Sequence, residues 1–555
     1  MIQKKRRIAI FLLLILMVGI VLTACSMAEY DSKNTGEKSK EAVLLGPEEE
    51  MVVAVNVDGN SPQLTLSSVW MNRSEFWGSL MFRGLFIAKD NINDVEMDLC
   101  KEYAVSPDGL VYVFTIQNDV FWHDGELLTI EDVIWTIETY LKMQQVNGYV
   151  SQGLKAIQGA EEWIAGGADS LSGLEVDGDD LTIHLKEMDE EFLSALAQLA
   201  ILPKHCFKET AVEDIPSSDF WKLPIGNGPY KMVSNENNEA VLVYNDQYTE
   251  THPGIQQIRY KVVNPTDPGE FDLTFTSDPE VVSRYQADPD YEVVPAANLY
   301  YRYLIFNLDC RTGERDGRLD DERVRQALMY GLDRRSIINN IYKGTAINID
   351  CGIPEYDSWY VEKSDDEVGY RLALAKEMLM EAGFDFEEPL ILTRYNSDEL
   401  SVKLLEEIAG CWEAIGIKTE IIPVETTDTD KLFVEADWYD VALKNLAAVE
   451  YDEWYYEYSS KNVLFSNIYQ NRDRFDALLQ SLDDASWAYE KNMLYREIQS
   501  METSLVYKIP LAITPQYVIY RKEKLDIPLK EFPNMWYYYD LSLAQWKIIS
   551  NKTDN

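Results

Sequence analysis

The chain has 555 residues, 46% of them hydrophobic, and its 95 acidic against 50 basic side chains give a formal net charge of −45. That surplus disfavours nucleic acid, which needs cationic grooves, and close adhesion of the surface to anionic lipid heads; it suits a soluble, self-repelling surface. The length and ordinary apolar content allow two to four domains with a sizeable core.

The first element reads as an export signal. Lys4, Lys5, Arg6 and Arg7 precede a nearly unbroken apolar run over residues 8–21. The run is short for a membrane-spanning helix and no stop-transfer pattern follows it. It ends in Leu22-Thr23-Ala24-Cys25, which resembles the lipobox of bacterial lipoproteins. The resemblance implies cleavage before Cys25, a diacylglycerol on its thiol and acylation of the freed amine. Two or three acyl chains on one cysteine are enough for stable anchoring. The expected location is the outer face of the cytoplasmic membrane, on the bacterial cell surface or the periplasmic side, with the lipid as the only membrane contact. Residues 1–24 are the signal peptide, and polar, charged residues 25–50 a flexible tether.

Ordered structure is expected from Met51. "MVVAVNV" reads as a buried strand followed by the turn "DGNSPQL". Residues 74–86 carry apolar side chains at helical spacing, with Ser74 placed to cap. Pro107-Asp108-Gly109 is a turn between two alternating runs, and Tyr112, Phe114 and Ile116 share one face of the second. Thr129 caps a helix that has Asp132 in its first turn and Val133, Ile134, Ile137 and Leu141 on one side. Residues 173–186 form a hairpin around Asp177-Gly178, then a helix through "EEFLSALAQLA" and a strand "EAVLVYN". Residues 321–343 form two short helices, with Asp333 capping the second and Gly344 stopping it. A helix over 370–383 ends at Gly383, and 399–424 is a helix running into a strand. This alternation points to mixed α/β domains.

"SPDGLVYVFTIQNDVFWHDGELLTIEDVIWT" resembles the signature stretch of the family 5 extracellular solute-binding proteins, the oligopeptide, dipeptide and nickel receptors of ABC importers. "ILPKH" (201–205), "IGNGPYKM" (225–232), "FNLD" (306–309), "DERVRQALMYGLDRRSI", "AKEMLMEAGF" and "AIGIKTEI" match further family motifs in the family's order. The likeness covers residues 51 to about 525. It implies an α/β, two-lobed periplasmic-binding-protein-like fold of the class II type, with mixed sheets, a hinge and an extra domain. Residues 51–88, 204–300 and 515–550 are assigned to a discontinuous lobe I, 89–203 to the extra domain II and 301–514 to lobe III. The implied function is capture of peptides or peptide-like solutes in the interlobe cleft and delivery to an ABC permease and its ATPase. The implied alternatives are a sensory or adhesive lipoprotein without transport, or a non-peptide ligand such as a nickel complex or an oligosaccharide. A monomer with no cofactor is expected.

In the oligopeptide-binding members an aspartate just before a D-P or E-P pair holds the peptide amine. Registering Asp452-Glu453 on that pair puts Val449 at the aspartate's place, and valine cannot neutralise an ammonium ion. Glu450 substitutes if the loop is shifted by one, and Asp452 is the next candidate. Asp58 and Asn60 follow the first strand, where family members contact ligand, and Trp70, Tyr451 and Trp454 are candidate aromatic walls. Each has ordinary packing or a solvated loop as its alternative. Arg323 and Arg325 are expected in ion pairs and surface contacts, and His123 as a hydrogen-bonded structural residue.

An extracellular hydrolase is the rival class. His123, His184, His205 and His252 lie far apart in sequence, so no zinc motif can be written, and there is neither a GxSxG elbow nor a phosphate loop. No catalytic residue and no metal ligand is therefore assigned. Besides Cys25 there are Cys100, Cys206, Cys310, Cys351 and Cys411, widely spaced. The compartment permits a disulfide, for which Cys310 with Cys351 is the candidate pair.

Overall fold

The computed structural model describes residues 44–46, 49–55, 78–88, 95–143, 146–189, 191–248, 254–263, 269–296, 299–308, 317–424, 438–448, 451–460, 472–485, 487–528 and 543–549. The expected signal, Cys25 and nearly all of the expected tether lie outside the described residues, as does Ser74. The chain divides into two units after Leu44, and the second, Leu45–Asn555, carries every helix and strand among the described residues. Among the described residues no helix is long and apolar enough to cross a membrane.

Strand Met51–Val55 lies at the centre of a seven-stranded sheet. The order is Tyr291–Pro295, Tyr517–Arg521, Leu273–Thr276, Met51–Val55, Gln257–Val262, Glu239–Tyr244 and Tyr230–Glu236. An apolar run without alternation suits a strand covered on both faces. Val53 and Val55 belong to the large apolar core, and Ala54 to a smaller cluster with Phe271, Tyr285 and Ile519. Both neighbours, Gln257–Val262 and Leu273–Thr276, run parallel to it.

The same large core extends under a four-stranded antiparallel sheet of Cys100–Val105, Val111–Ile116, Asp180–His184 and Leu174–Asp177. Gly109 supplies the positive φ, +68°, that closes the first hairpin. Tyr112, Phe114 and Ile116 are buried together on one face. Thr129 caps helix Ile130–Lys142: its backbone N–H donates to one oxygen of Asp132 at 2.9 Å, and the other oxygen accepts the N–H of Lys204 at 3.0 Å. The capping acid thus also fastens the "ILPKH" segment.

His123 joins this sheet domain to the "GNGPY" loop. Its Nε2–H donates to the Gly228 carbonyl at 3.0 Å, while Nδ1 accepts the Gly226 N–H at 3.1 Å. Both contacts need the neutral ring, and burial lowers its pKa to about 4. It is a structural histidine.

The reading of residues 74–86 as one helix is corrected. Only Gly78–Met81 is helical among its described residues, and Phe86 already stands in strand Phe86–Ala88. Arg83 breaks the helix: its N–H goes to Asn227 Oδ1 at 2.8 Å and its guanidinium to Asp98 at 2.6 Å.

Residues 299–513 build a second sheet in the order Ile347–Asn348, Lys508–Ile513, Leu299–Phe306, Val441–Ala448, Leu390–Arg394 and Thr419–Ile421. Its apolar core shares no residue with the first. Helices Glu322–Tyr330, Arg334–Tyr342, Leu372–Glu381 and Glu399–Ala414 cover it. Asp333 and Asp398 cap the second and the last of these through Ser336 and Ser401. Arg323 pairs with Asp321 on the surface. Arg325 does not reach the surface: it is 3% exposed and spends its guanidinium on the carbonyls of Leu319, Asp320, Leu505 and Val506. The Cys310–Cys351 disulfide is also corrected, since Cys351 is a free, buried thiol against Ile353 O and Gln499 Oε1; Cys310 lies outside the described residues.

A candidate ligand cleft at the hinge

The chain passes between the two sheets twice, once between Ala296 and Leu299 and again at residues 514–516. The passages run side by side: Ala296 N–H donates to Gln516 O at 2.8 Å, and Thr514 N–H to Tyr300 O at 2.9 Å. Pro295 pairs with Tyr517 on one side and Tyr301 with Ile513 on the other, so one antiparallel ribbon runs from the first sheet into the second. A narrow ribbon between two separate cores is a place where backbone angles can change without repacking either.

Strand registers fix what faces this hinge. Thr276 pairs with Tyr517, so the carboxyl ends of Leu273–Thr276 and of its parallel neighbour Met51–Val55 lie at the hinge end of the seven-stranded sheet. Leu299 pairs with Ala448, so the carboxyl end of Val441–Ala448 lies at the hinge end of the other, and the parallel strand Leu390–Arg394 points the same way but stops beside Leu443. In open α/β sheets ligands bind outside the carboxyl ends of strands. Here two such edges meet at one hinge.

Of the residues singled out in the sequence, Asp58, Asn60, Trp70, Val449 and Glu450 lie outside the described residues, although the strands leading into 56–60 and 449–450 both end at the hinge. Tyr451 opens helix Tyr451–Tyr456, half-buried, and its hydroxyl donates to Asp357 Oδ2 at 2.9 Å. The backbone of Asp452 is in the same helix. Trp454 is fully buried rather than on an open wall. Its ring packs on Tyr301 and Tyr303 at centroid distances of 4.8 and 4.9 Å, and its Nε1–H donates to Glu502 at 2.6 Å.

Beneath that helix lies a buried set of charges. Lys508, 4.1 Å above the Trp454 ring, is ion-paired with Glu457, which also accepts the Tyr303 hydroxyl at 2.7 Å. Burial lowers Lys508, and it lowers Lys444 to about 7. The opposite charge of Glu457 keeps both lysines tolerable there.

On the other face, at the hinge end, the sequence reading passed over a polar group. Arg302 is 8% exposed, with Nη1 donating to Ser401 Oγ at 3.0 Å and to Asn445 Oδ1 at 2.5 Å. Arg394 ends the parallel strand beside Leu443, and the Tyr395 hydroxyl after it accepts Asn445 Nδ2–H at 3.4 Å. The sequence signal was a lone cation in the otherwise apolar strand "LYYRYLIF".

A cavity of about 930 Å³ lies away from the hinge ribbon, lined by Met143, Gln152, Lys155 and Met188 among others. Asp124, His205 and Cys206 also gather away from the cleft, their ligating atoms within 4.8 Å of one another, although no sequence motif marks them. His205 Nε2 is 2.9 Å from Asp124, and burial raises the Cys206 thiol to about 12.

Comparison with known proteins decides the family. Residues 94–471 match the family described as bacterial extracellular solute-binding proteins, family 5 Middle. The chain belongs to the family 5 extracellular solute-binding proteins. Relatives from Brucella species are 27% identical over 366 residues, 64% of this chain and 64% of theirs, so the alignment spans less than two thirds of their length. The oligopeptide-binding protein AppA of Bacillus subtilis is 28% identical over 69% of this chain and 68% of its own. Its structure, solved in complex with a nonapeptide, covers 90% of this chain and 99% of that one with a TM-score of 0.66 and 20% identity. NikZ of Campylobacter jejuni, solved with Ni(L-His), covers 90% and 100% with a TM-score of 0.64 and 21% identity. These structures share the fold of this family 5 chain, whose sheets and hinge are the α/β two-lobed architecture expected from its motifs.

Proposed function

We propose that this chain is the solute receptor of an ABC importer. It takes peptides or peptide-like solutes between its two sheets, closes about the hinge ribbon and presents the closed form to a permease and its ATPase. The supporting observation is that strand carboxyl ends from both sheets meet at the ribbon formed by the two passages of the chain. Residues 56–60 and 449–450, expected from the sequence to touch ligand, follow directly on strands Met51–Val55 and Val441–Ala448, which end there. A ligand that contacts both lobes stabilises the closed state by its differential affinity for it. The reading makes the protein a binder rather than an enzyme, divided into lobe I, extra domain II and lobe III. It is exported as a monomer and held at the outer face of the membrane by acyl chains on Cys25. Asp58, Asn60, Trp70, Glu450, Tyr451 and Asp452 remain the proposed contacts, with Glu450 as the amine partner.

Mass spectrometry of solutes released from the purified protein tests the ligand class. Peptides are expected, recovered unchanged after rebinding; a nickel complex or a sugar as the sole guest would replace that class. Cys25→Ala should leave the protein unprocessed or released, and acylated maturation of that variant would refute the anchor.

A further inference from the structure

Asp124, His205 and Cys206 form a cluster that the solute cleft does not use. Asp124 stands in a tight turn closed by the Phe121–Leu127 bridge and by Trp122 N–H donating to Glu126 O at 2.8 Å. Gly125 supplies the positive φ, +92°, that the turn requires. Asp124 Oδ1 accepts the Glu126 N–H at 3.2 Å, and Oδ2 faces His205 Nε2 at 2.9 Å. His205 and Cys206 come from the short helical turn Lys204–Phe207. That turn is fixed by Lys204 N–H on Asp132 and Cys206 N–H on Pro203 O, both at 3.0 Å. The Trp122 ring meets the His205 ring edge-on, with centroids 6.1 Å apart. Two pinned segments, 81 positions apart, thus deliver a carboxylate oxygen, an imidazole nitrogen and a sulfur to within 4.8 Å of one another.

Other residues of these kinds are engaged elsewhere. His123 has both ring nitrogens on the backbone of Gly226 and Gly228, and His184 meets only the exposed Glu175 at 3.5 Å. Cys100 and Cys351 donate to the carbonyls of Glu102 and Ile353 at 3.2 Å. Among the described residues no second group of three such side chains forms. A surface histidine–aspartate pair alone is ordinary and weak; the half-buried Cys206 sulfur beside it is what makes a ligand set. Burial, and then the carboxylates of Asp124 and Asp132, push that thiol up to about 12, so it keeps its proton until a cation offsets them.

We propose that Asp124, His205 and Cys206 bind one zinc ion. Sulfur, nitrogen and carboxylate donors together suit zinc, whereas calcium and magnesium take oxygen. Zinc bonds of roughly 2.0–2.3 Å at tetrahedral angles place ligand atoms roughly 3.3–3.6 Å apart. The 2.9 Å pair therefore opens slightly and the wider pairs close by at most about 1.5 Å, a change that side-chain torsions supply. The Cys206 S–H bond breaks as the S–Zn bond forms, and the proton leaves to solvent. The His205 and Asp124 side chains are 26% and 29% exposed, which gives the ion an entry path and a water the fourth position. The ion ties the turn at 121–127 to the segment at 201–207, next to the grip of His123 on Gly226 and Gly228. It acts as a clasp that steadies this junction and is independent of the solute proposed for the cleft.

The test uses the full mature chain, reduced and freed of metal with a chelator that is then removed, titrated with Zn²⁺ by calorimetry and with Co²⁺ by absorption. The wild type should take up one zinc, show the near-ultraviolet thiolate-to-cobalt band, and gain in melting temperature with added Zn²⁺. Cys206→Ser should lose the band, and His205→Gln and Asp124→Asn should each weaken zinc binding at least about tenfold. Asp124→Asn, on the exposed turn and able to keep the Glu126 contact, keeps the test decisive if the other two fail to fold. No zinc uptake or no thiolate band in the wild type overturns the proposal. So does a band that survives in Cys206→Ser, or undiminished affinity in a folded His205→Gln or Asp124→Asn variant.

Discussion

The hydroxyl of Tyr517, in the first sheet, donates to the carbonyl of Thr345, in the second lobe, at 2.8 Å. Beside it Lys343 reaches across to Glu280 on helix Pro279–Gln286. These contacts join the lobes next to the ribbon without belonging to the expected ligand loops. Removing one hydrogen bond costs about 1 kcal/mol, charged to the hinge state that contains it. Tyr517→Phe should therefore change the open-to-closed ratio, and with it the apparent Kd for the solute, by about fivefold. An unchanged Kd would mean that the bond survives equally in both states.

His123 makes stability depend on pH. Its folded pKa of about 4 lies below the ordinary 6.5, so the neutral form is favoured by folding. That stabilisation is complete above pH 6.5 and is lost as the pH falls toward 4. At pH 5 the loss should be about 2 kcal/mol relative to pH 7. Urea unfolding at both pH values should show that His123→Gln removes this part of the slope; an identical slope in the variant would contradict it.

Glu457 faces two buried lysines whose pKa values burial lowers. Glu457→Gln leaves them with less opposing charge and should cost about 3–5 kcal/mol. Lys444→Met removes a buried cation and should be neutral or stabilising. Denaturant midpoints decide both, and a Glu457→Gln protein within about 1 kcal/mol of wild type would show that the charges are compensated otherwise.

Gly228 sits against the chain it grips. A Cβ there would stand 2.4 Å from the Leu80 carbonyl oxygen and 2.8 Å from Met81 C. Gly228→Ala should cost about 1–3 kcal/mol and disturb the His123 contact. Wild-type stability in that variant would rule out close packing at this point.

Local rules made much of the fold legible. The Asp108-Gly109 turn, the Thr129 and Asp333 caps and the alternation at Tyr112, Phe114 and Ile116 each depend on residues a few positions apart. The stretch 74–86 misled because Leu80, Met81, Phe82, Leu85 and Phe86 are all buried, and a wholly buried run has no informative period. Trp454, set among acids in "EYDEWYYEY", reads as exposed; a lysine 54 positions away and a glutamate 48 away place it in the core. Arg302 was hidden for the same reason. Its partners lie 99 and 143 positions along the chain, and register across three strands brings them together. Residues 56–60 and 449–450 lie outside the described residues.

Small-angle scattering of the mature chain, with its co-purified solute first removed and then restored, tests the hinged receptor most directly. A clamp that closes on its guest should show a smaller radius of gyration on restoring the solute, reversed on removing it, with the solute recovered intact. The same radius in both states, or a chemically altered solute, would contradict it.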